Sequence, residues 1–365
     1  MVTEKEYSFP CYLNSDAKAL PEDCSNLGFG ELFSDHMFVM DYEDGKWNSP
    51  RIEAHKNFSL PPSTAVLHYG QGIFEGLKAY RSKKGIFLFR PEENIKRMNL
   101  SAKRMMMPEI DEKIVLEALQ ALCQIDAAWI PGEEGTAFYI RPTMIAMDNC
   151  LGVKPSKKYR FFIIAGPVGA YYKSGFSPVS IEVSECYVRA VPGGTGAAKT
   201  MGNYAASLLA AHEAGQRGHT QVLWLDAIDR KYIEEIGVMN VFIYKNGTLI
   251  TPFLGGTILP GITRDSILQL AKKEGIPTQE RKISMDELVE GIEDGSVSEM
   301  FGTGTAAVIS IIDKISFQGK SYNIPQKEDS LAKKMFKKLT QMQYGLAEDS
   351  FGWVSQVQER QYLQS

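Results

Sequence analysis

The chain has 365 residues, 40 of them Lys or Arg against 44 Asp or Glu, for a net charge of −4. That length exceeds what single cores usually reach, so two domains are expected, and the near-balanced charge excludes the broad basic field of a nucleic-acid or acidic-membrane binder. No run approaches the roughly 18 to 20 apolar residues of a membrane helix, and Met1-Val2-Thr3-Glu4-Lys5-Glu6 lacks a signal-peptide core, which predicts a cytoplasmic protein acting on small molecules.

In chain order, His36 to Met40, Gly85 to Phe89 and Thr136 to Ile140 read as strands, with two helices among them. Glu92 to Met106 places Ile95, Met98, Ala102 and Met105 at helical spacing, and Asp111 to Trp129 repeats the pattern with Ile114, Ala118, Leu122, Ile125 and Trp129. The methionine stripe reads as core. Tyr159 to Ala165 is a further strand, and the chain-breaking run from Gly166 to Gly175 reads as a linker. The expected organisation is a small N-terminal domain over 1–168, a linker over 169–178 and a larger domain over 179–365.

The second half opens with Val179 to Ser184, whose strict alternation predicts a half-exposed strand, unlike the doubly buried parallel strand that feeds a nucleotide loop. Tyr204 to Ala211 is helix-like. Val241 to Tyr244 and Thr248 to Ile250 flank Lys245-Asn246-Gly247, a hairpin signal, so antiparallel pairing is expected to dominate. Thr263 to Glu274 reads as a helix with a threonine start and Gly275 as its stop, and Ser284 to Glu287 has capping-box spacing. Helices and strands mix without strict alternation, which predicts an α+β fold.

The five cysteines are widely spaced and form neither C-x-x-C nor a zinc pattern, and the five histidines include no H-E-x-x-H pair. No protein-held metal is expected.

The segment Pro192-Gly193-Gly194-Thr195-Gly196-Ala197-Ala198-Lys199-Thr200 supports two chemistries. As a G-x-x-x-x-G-K-[ST] loop it matches at Gly193, Lys199 and Thr200 but misses at Ala198. As a glycine-rich approach to a reactive amine it needs a phosphate site elsewhere, and two candidates exist. Leu259-Pro260-Gly261-Ile262-Thr263-Arg264 is a turn entering a helix, where backbone N–H groups face an anion. Phe301-Gly302-Thr303-Gly304-Thr305-Ala306 offers small residues and hydroxyls. A phosphate held apart from the lysine suits pyridoxal phosphate, whose aldehyde reacts with an amine.

Lys199-Thr200-Met201-Gly202-Asn203-Tyr204, Glu235-Ile236-Gly237-Val238-Met239-Asn240 and Leu259-Pro260-Gly261-Ile262-Thr263-Arg264 resemble, in order, the motif set of the branched-chain amino acid aminotransferases, which are fold-type IV pyridoxal-phosphate enzymes. The resemblance runs from Leu27-Gly28-Phe29-Gly30 through His68-Tyr69-Gly70-Gln71-Gly72-Ile73-Phe74-Glu75-Gly76 to Gly352-Trp353-Val354. It implies a two-domain architecture with the active site in the cleft between domains, a homodimer, and transfer of the amino group of L-leucine, L-isoleucine or L-valine to 2-oxoglutarate, giving L-glutamate.

On the family match, Lys199 would carry the cofactor as an internal aldimine and then shuttle the proton. Glu235 would pair with the pyridine nitrogen, leaving Glu234 solvated on the opposite face of the strand. Tyr204 would bond the cofactor's phenolic oxygen, and Arg90, Ile262, Thr263 and Thr305 would hold its phosphate. Phe29, Phe74, Tyr139, Arg141 and Tyr171 would receive the substrate side chain, with Arg141 a donor for the carboxylate of 2-oxoglutarate. Thr305 and Ala306 would hold the α-carboxylate, while Tyr69 and the Leu151-Gly152-Val153 loop match positions that complete the neighbouring subunit's substrate pocket. Some animal members carry a C-x-x-C redox pair after the Gly-Thr motif; Ala307 and Ser310 stand there in this chain.

Overall fold

The computed structural model describes residues 7–21, 23–24, 27–169 and 177–358. The chain divides into two compact units, Met1–Lys173 with Gln341–Ser365, and Ser174–Thr340. The first contains β1 (His36–Glu43), β2 (Lys46–Ala54), α1 (Ala65–Tyr69), β3 (Gly72–Phe74), β4 (Leu77–Ser82), β5 (Gly85–Phe89), α2 (Pro91–Arg104), α3 (Glu112–Ile125), β6 (Ala137–Ala146) and β7 (Tyr159–Val168). The second contains β8 (Val179–Val183), α4 (Met201–Ala205), α5 (Leu208–Gln216), β9 (Gln221–Leu225), β10 (Ile233–Ile236), β11 (Met239–Lys245), β12 (Thr248–Thr251), α6 (Ile262–Lys273), β13 (Thr278–Glu280), α7 (Met285–Glu293), β14 (Val297–Gly304), β15 (Val308–Phe317) and β16 (Lys320–Asn323). Then follow α8 (Leu331–Gln343) and β17 (Val354–Val357).

In the first unit the described strands form an antiparallel sheet in the order β17-β5-β4-β6-β7-β1-β2, with β3 also on β6. One face carries Phe38, Met40, Phe138, Ile140 and Phe161 into a core closed by Ile95, Met98 and Ala102 of α2 and Ala118 and Leu122 of α3. Helical spacing selected those residues, and Asp111 starts α3 by accepting from the N–H groups of Lys113 and Ile114. The second helix ends at Ile125, and Ala127–Trp129 is a separate single turn.

Two expectations are corrected here. Gly166, Pro167 and Val168 continue β7 opposite Tyr139, Phe138 and Ala137 instead of opening a linker. A Cβ at Gly166 would lie 1.9 Å from the Leu32 carbonyl oxygen, so glycine marks a close backbone approach there, and Pro167 lies past the stretch that pairs with β1. The second unit does not run to residue 365, because β17 returns to pair with β5. Residues 170–176, most of the expected linker, lie outside the described residues, as does Tyr171.

In the second unit the order is β10-β9-β8-β15-β14-β11-β12-β13, with β16 on β15, and a further pairing of β10 with β11 closes six of these strands into a ring. Alternation at Val179 to Val183 is present as buried and half-buried positions, yet β8 is parallel to both β9 and β15. The period reports which faces are wet and is silent on strand direction. The remaining ring pairings are antiparallel. Asn246 and Gly247, at φ 49 and 75, make the two-residue turn joining β11 to β12. Helix α6 begins one residue before the expected threonine, with Gly261 as its N-cap. Ser284 caps α7 through a 3.1 Å bond from the Glu287 N–H.

Lys78 on β4 is buried, and desolvation pushes its ammonium down to about 8 from 10.5. Between those values the unfolded chain holds a proton that the folded chain lacks, so stability rises with pH across that window; below about 8 the cost of the buried charge is fully present. Lys78→Met is therefore expected to raise stability at pH 7, read as a higher urea midpoint, and to flatten the pH dependence from 8 to 10.5. A variant less stable than the parent at pH 7 would refute this.

Candidate active site

The glycine-rich segment is a turn whose left-handed position is Gly193, φ 78. Asn203 ties it together, donating from Nδ2 to the carbonyls of Thr195 and Ala198 at 2.8 and 2.9 Å and accepting from the Thr195 hydroxyl at 2.8 Å. At Gly196 a Cβ would fall 2.2 Å from the Thr257 carbonyl oxygen, so this position too is glycine because backbone passes close by. Lys199 emerges half-buried at the start of α4, and one helical turn brings the Tyr204 hydroxyl within 2.7 Å of its Nζ.

Glu235 lies on β10 opposite Asn240 of β11 and is 2% exposed. Its Oε2 is 2.5 Å from Nε of Arg189, and its Oε1 accepts from the Leu259 N–H at 2.9 Å and from Asn240 Nδ2 at 3.1 Å. Burial pushes the carboxyl up to about 7, against the downward pull of Arg189 and the Leu259 N–H. The Arg189 guanidinium also donates to the carbonyls of Thr257 at 2.7 Å and Gly196 at 3.2 Å, so one side chain joins the acid to the lysine turn.

Glu234 is not solvated, as alternation had suggested. It is buried, accepts from the Thr257 hydroxyl at 2.5 Å, and its carboxyl is raised by burial. A register shift between Ile233 and Glu235 breaks the simple two-residue period at this point.

The row of paired residues continues from Glu235 through Asn240 to Thr303 of β14. Helix α6 starts beside it: a Cβ at Gly261 would lie 1.9 Å from Oδ1 of Asn240, and Asn240 Nδ2 donates to the Leu259 carbonyl at 2.9 Å. Ile262 and Thr263 thus occupy the first turn of a twelve-residue helix, where backbone N–H groups and the helix dipole favour an anion. The Thr303 hydroxyl is buried with no hydrogen-bond partner among the described residues. Thr305 and Ala306 lie in the turn between β14 and β15, followed by Val308 in the left-handed region at φ 61.

In the first unit Arg90 is the N-cap of α2, buried and left-handed at φ 49, a conformation costing roughly 1–2 kcal/mol in a non-glycine residue. The Trp353 carbonyl accepts its N–H at 2.7 Å, and the guanidinium lies 5.0 Å from the Trp353 ring. Phe29, Phe74, Tyr139 and Arg141 are brought together. Arg141 donates to the Tyr139 hydroxyl at 2.9 Å and lies 4.7 Å from the Phe74 ring, and Phe29 meets Tyr139 edge-on at 4.8 Å. The Tyr69 hydroxyl donates to the Leu151 carbonyl. Among the described residues no cluster of three His, Cys, Asp or Glu is arranged to hold a metal ion.

Arg189 was invisible in sequence, 46 positions from its partner with no local pattern to mark it. Asn203 and Asn240 stood inside recognisable motifs, but their work as backbone clamps needs the fold.

The sequence model for amino-transferase class IV matches residues 72–315. A branched-chain-amino-acid aminotransferase of Bacillus subtilis (strain 168) is 50% identical over 348 residues, covering 94% of this chain and 96% of its own. Among solved structures, a branched-chain amino acid aminotransferase from Escherichia coli superposes with a TM-score of 0.72 at 29% identity, over 89% of this chain and 99% of that one. A second branched-chain amino acid aminotransferase, solved with pyridoxamine 5′-phosphate, gives 0.71 at 26% identity, over 87% and 98%. The architecture is that of fold-type IV enzymes. The chain belongs to the class IV aminotransferase family, whose cofactor is pyridoxal phosphate. Its residues fit that group: an amine beside a phenol, a buried carboxylate held by an arginine, and a helix N-terminus beside an unpartnered buried hydroxyl.

Proposed function

We propose that this protein is a branched-chain amino acid aminotransferase moving the amino group of L-leucine, L-isoleucine or L-valine to 2-oxoglutarate, with L-glutamate as the second product. The observation that carries the reading is 50% identity to an enzyme of that name across almost the whole chain, with Lys199, Tyr204 and Glu235 all present. Pyridoxal phosphate, when bound, supplies an electron sink for the pair left on the substrate Cα.

The protein's own part is positional and electrostatic. Lys199 would be the covalent anchor of the cofactor, and as a free amine it would carry the proton removed from the substrate Cα across to C4′ of the cofactor. Tyr204, 2.7 Å away, orients that amine. Glu235, kept beside Arg189, would provide the anion that holds a proton on the ring nitrogen. Ile262, Thr263, Thr305 and Arg90 would hold the phosphate, and Thr305 with Ala306 would meet the α-carboxylate. Phe29 and Phe74 would form the apolar wall for a branched side chain, and Tyr139 with Arg141 would donate to the side-chain carboxylate of 2-oxoglutarate.

The protein acts in the cytoplasm as a homodimer in this reading. Exposed Leu67, Tyr69, Leu151 and Val153 in the first unit support an apolar contact surface, and among the described residues no helix is long and apolar enough to cross a membrane. The purified protein is expected to be yellow. L-leucine should bleach that absorbance and 2-oxoglutarate should restore it. Failure of leucine, isoleucine and valine alike to produce the change would overturn the assignment.

A further inference from the structure

Behind the Tyr139–Arg141 pair, on the opposite side of its neighbouring strand, lies a buried ion pair that the transamination reading leaves unused. Glu75 and Arg97 are 1% and 7% exposed and meet through two bonds, Nε to Oε1 at 2.7 Å and Nη2 to Oε2 at 2.8 Å. Asn94, one turn earlier on α2, donates to Glu75 Oε2 at 2.8 Å and to the Gly76 carbonyl at 3.1 Å. The Gly76 N–H donates to the same Oε2 at 3.2 Å.

This cluster stands where the sheet cannot hold the chain itself. The Glu75 N–H bonds the Pro142 carbonyl at 2.8 Å, but proline has no N–H to return the bond. On its other edge β4 pairs with β5 at Ala79↔Leu88, and β5 ends at Phe89, so Gly76 has no strand beside it. Side chains of Glu75 and Asn94 therefore take both backbone groups of Gly76. Alternation puts Glu75 with Ile73 and Leu77 on the core side, and Phe74 and Gly76 on the side of Tyr139 and Arg141. A Cβ at Gly76 would lie 2.2 Å from the Tyr139 hydroxyl, so the position of this peptide sets where that hydroxyl, and the Arg141 group bonded to it, can stand.

We infer that the Glu75–Arg97–Asn94 cluster is a positioning device for dicarboxylate recognition, holding Gly76 so that Tyr139 and Arg141 present their donors to the side-chain carboxylate of 2-oxoglutarate and L-glutamate. The inference rests on the pocket assignment made above for Tyr139 and Arg141. A buried charge pair is weak support for stability by itself, because an apolar replacement of the same shape is often as good. Fixing a backbone where ladder bonds are missing gives the charges a purpose that stability does not.

The test uses the holoenzyme and measures the two half-reactions separately. Glu75→Gln and Asn94→Leu are each expected to lower kcat/KM for 2-oxoglutarate about tenfold relative to L-leucine, which corresponds to ~1.4 kcal/mol. The change should be carried by KM, and the cofactor absorbance should stay that of the parent. Arg97→Lys, which keeps the charge, should retain most of the ratio. Asn94→Leu leaves both charges in place, so it carries the test if Glu75→Gln does not fold. Equal losses for both substrates, or no change in the ratio, would overturn the inference. Tyr139→Phe and Arg141→Lys measured in parallel separate the two levels. If they shift the ratio and the cluster variants do not, the positioning role fails alone; if they also leave it unchanged, the pocket assignment fails.

Discussion

Lys199→Ala is expected to abolish transamination, with kcat falling by about 10⁴-fold or more, because in the proposed mechanism one side chain supplies both the anchor and the proton carrier. Lys199 is half-buried at the entrance to α4, and the turn before it is held by Asn203 and Arg189, so the fold does not depend on its amine. The variant should keep the thermal transition of the parent. Borohydride treatment of the parent should leave a phosphopyridoxyl group on the peptide containing Lys199, and on no peptide of the variant. Recovery of the reduced group on a different lysine would refute the assignment, as would a variant retaining even one hundredth of the parent rate.

The second large effect is expected at Glu235. Glu235→Gln keeps the shape and can still accept from the Leu259 N–H, but it removes the negative charge that faces Arg189. Loss of one preorganised electrostatic partner commonly costs roughly 10²–10³ in kcat, and that is the expected fall. The pH dependence gives an independent check. The carboxyl is raised by burial from 4.5 to about 7, so its stabilising contribution is fully present below 4.5 and is lost as pH rises through about 7. Ligand-free parent protein should lose stability over that window, and Glu235→Gln should lose less. A Gln variant with parental kcat would remove Glu235 from the mechanism. Glu234 is the control: it is also buried and raised, but its bond is to the Thr257 hydroxyl, and a parental rate in Glu234→Gln alongside a crippled Glu235→Gln would separate the neighbours.

Much of the site was legible because its residues cluster in short ordered motifs. Lys199 and Tyr204 are five positions apart, and the spacing from Glu235 to Asn240 spans a turn between two paired strands, so local sequence carries their relation. Glu234 was misjudged because alternation assigns a residue to a face but says nothing of what covers that face: Glu234 is buried with the Thr257 hydroxyl bonded to it. The glycines divide in the same way. Gly193 can be read from its need for a left-handed turn, whereas Gly166, Gly196 and Gly261 are glycine because distant backbone or an asparagine side chain comes within about the radius of a Cβ.

The sequence by itself determined the α+β class, the two helices that close the first core, the hairpin at Asn246-Gly247 and the motif in which Lys199 and Tyr204 stand five positions apart. Each depends on periodicity, turn chemistry or motif spacing over a few residues. Tertiary structure alone decided that β8 runs parallel to both neighbours, that β17 returns to the first unit, and that Arg189 binds Glu235 to the lysine turn. It also decided that Glu75 and Asn94 hold Gly76 behind the Tyr139–Arg141 pair. These are contacts between residues far apart in the chain. Burial and charge pairing reward them only once the sheets have formed, and no local pattern records them in advance.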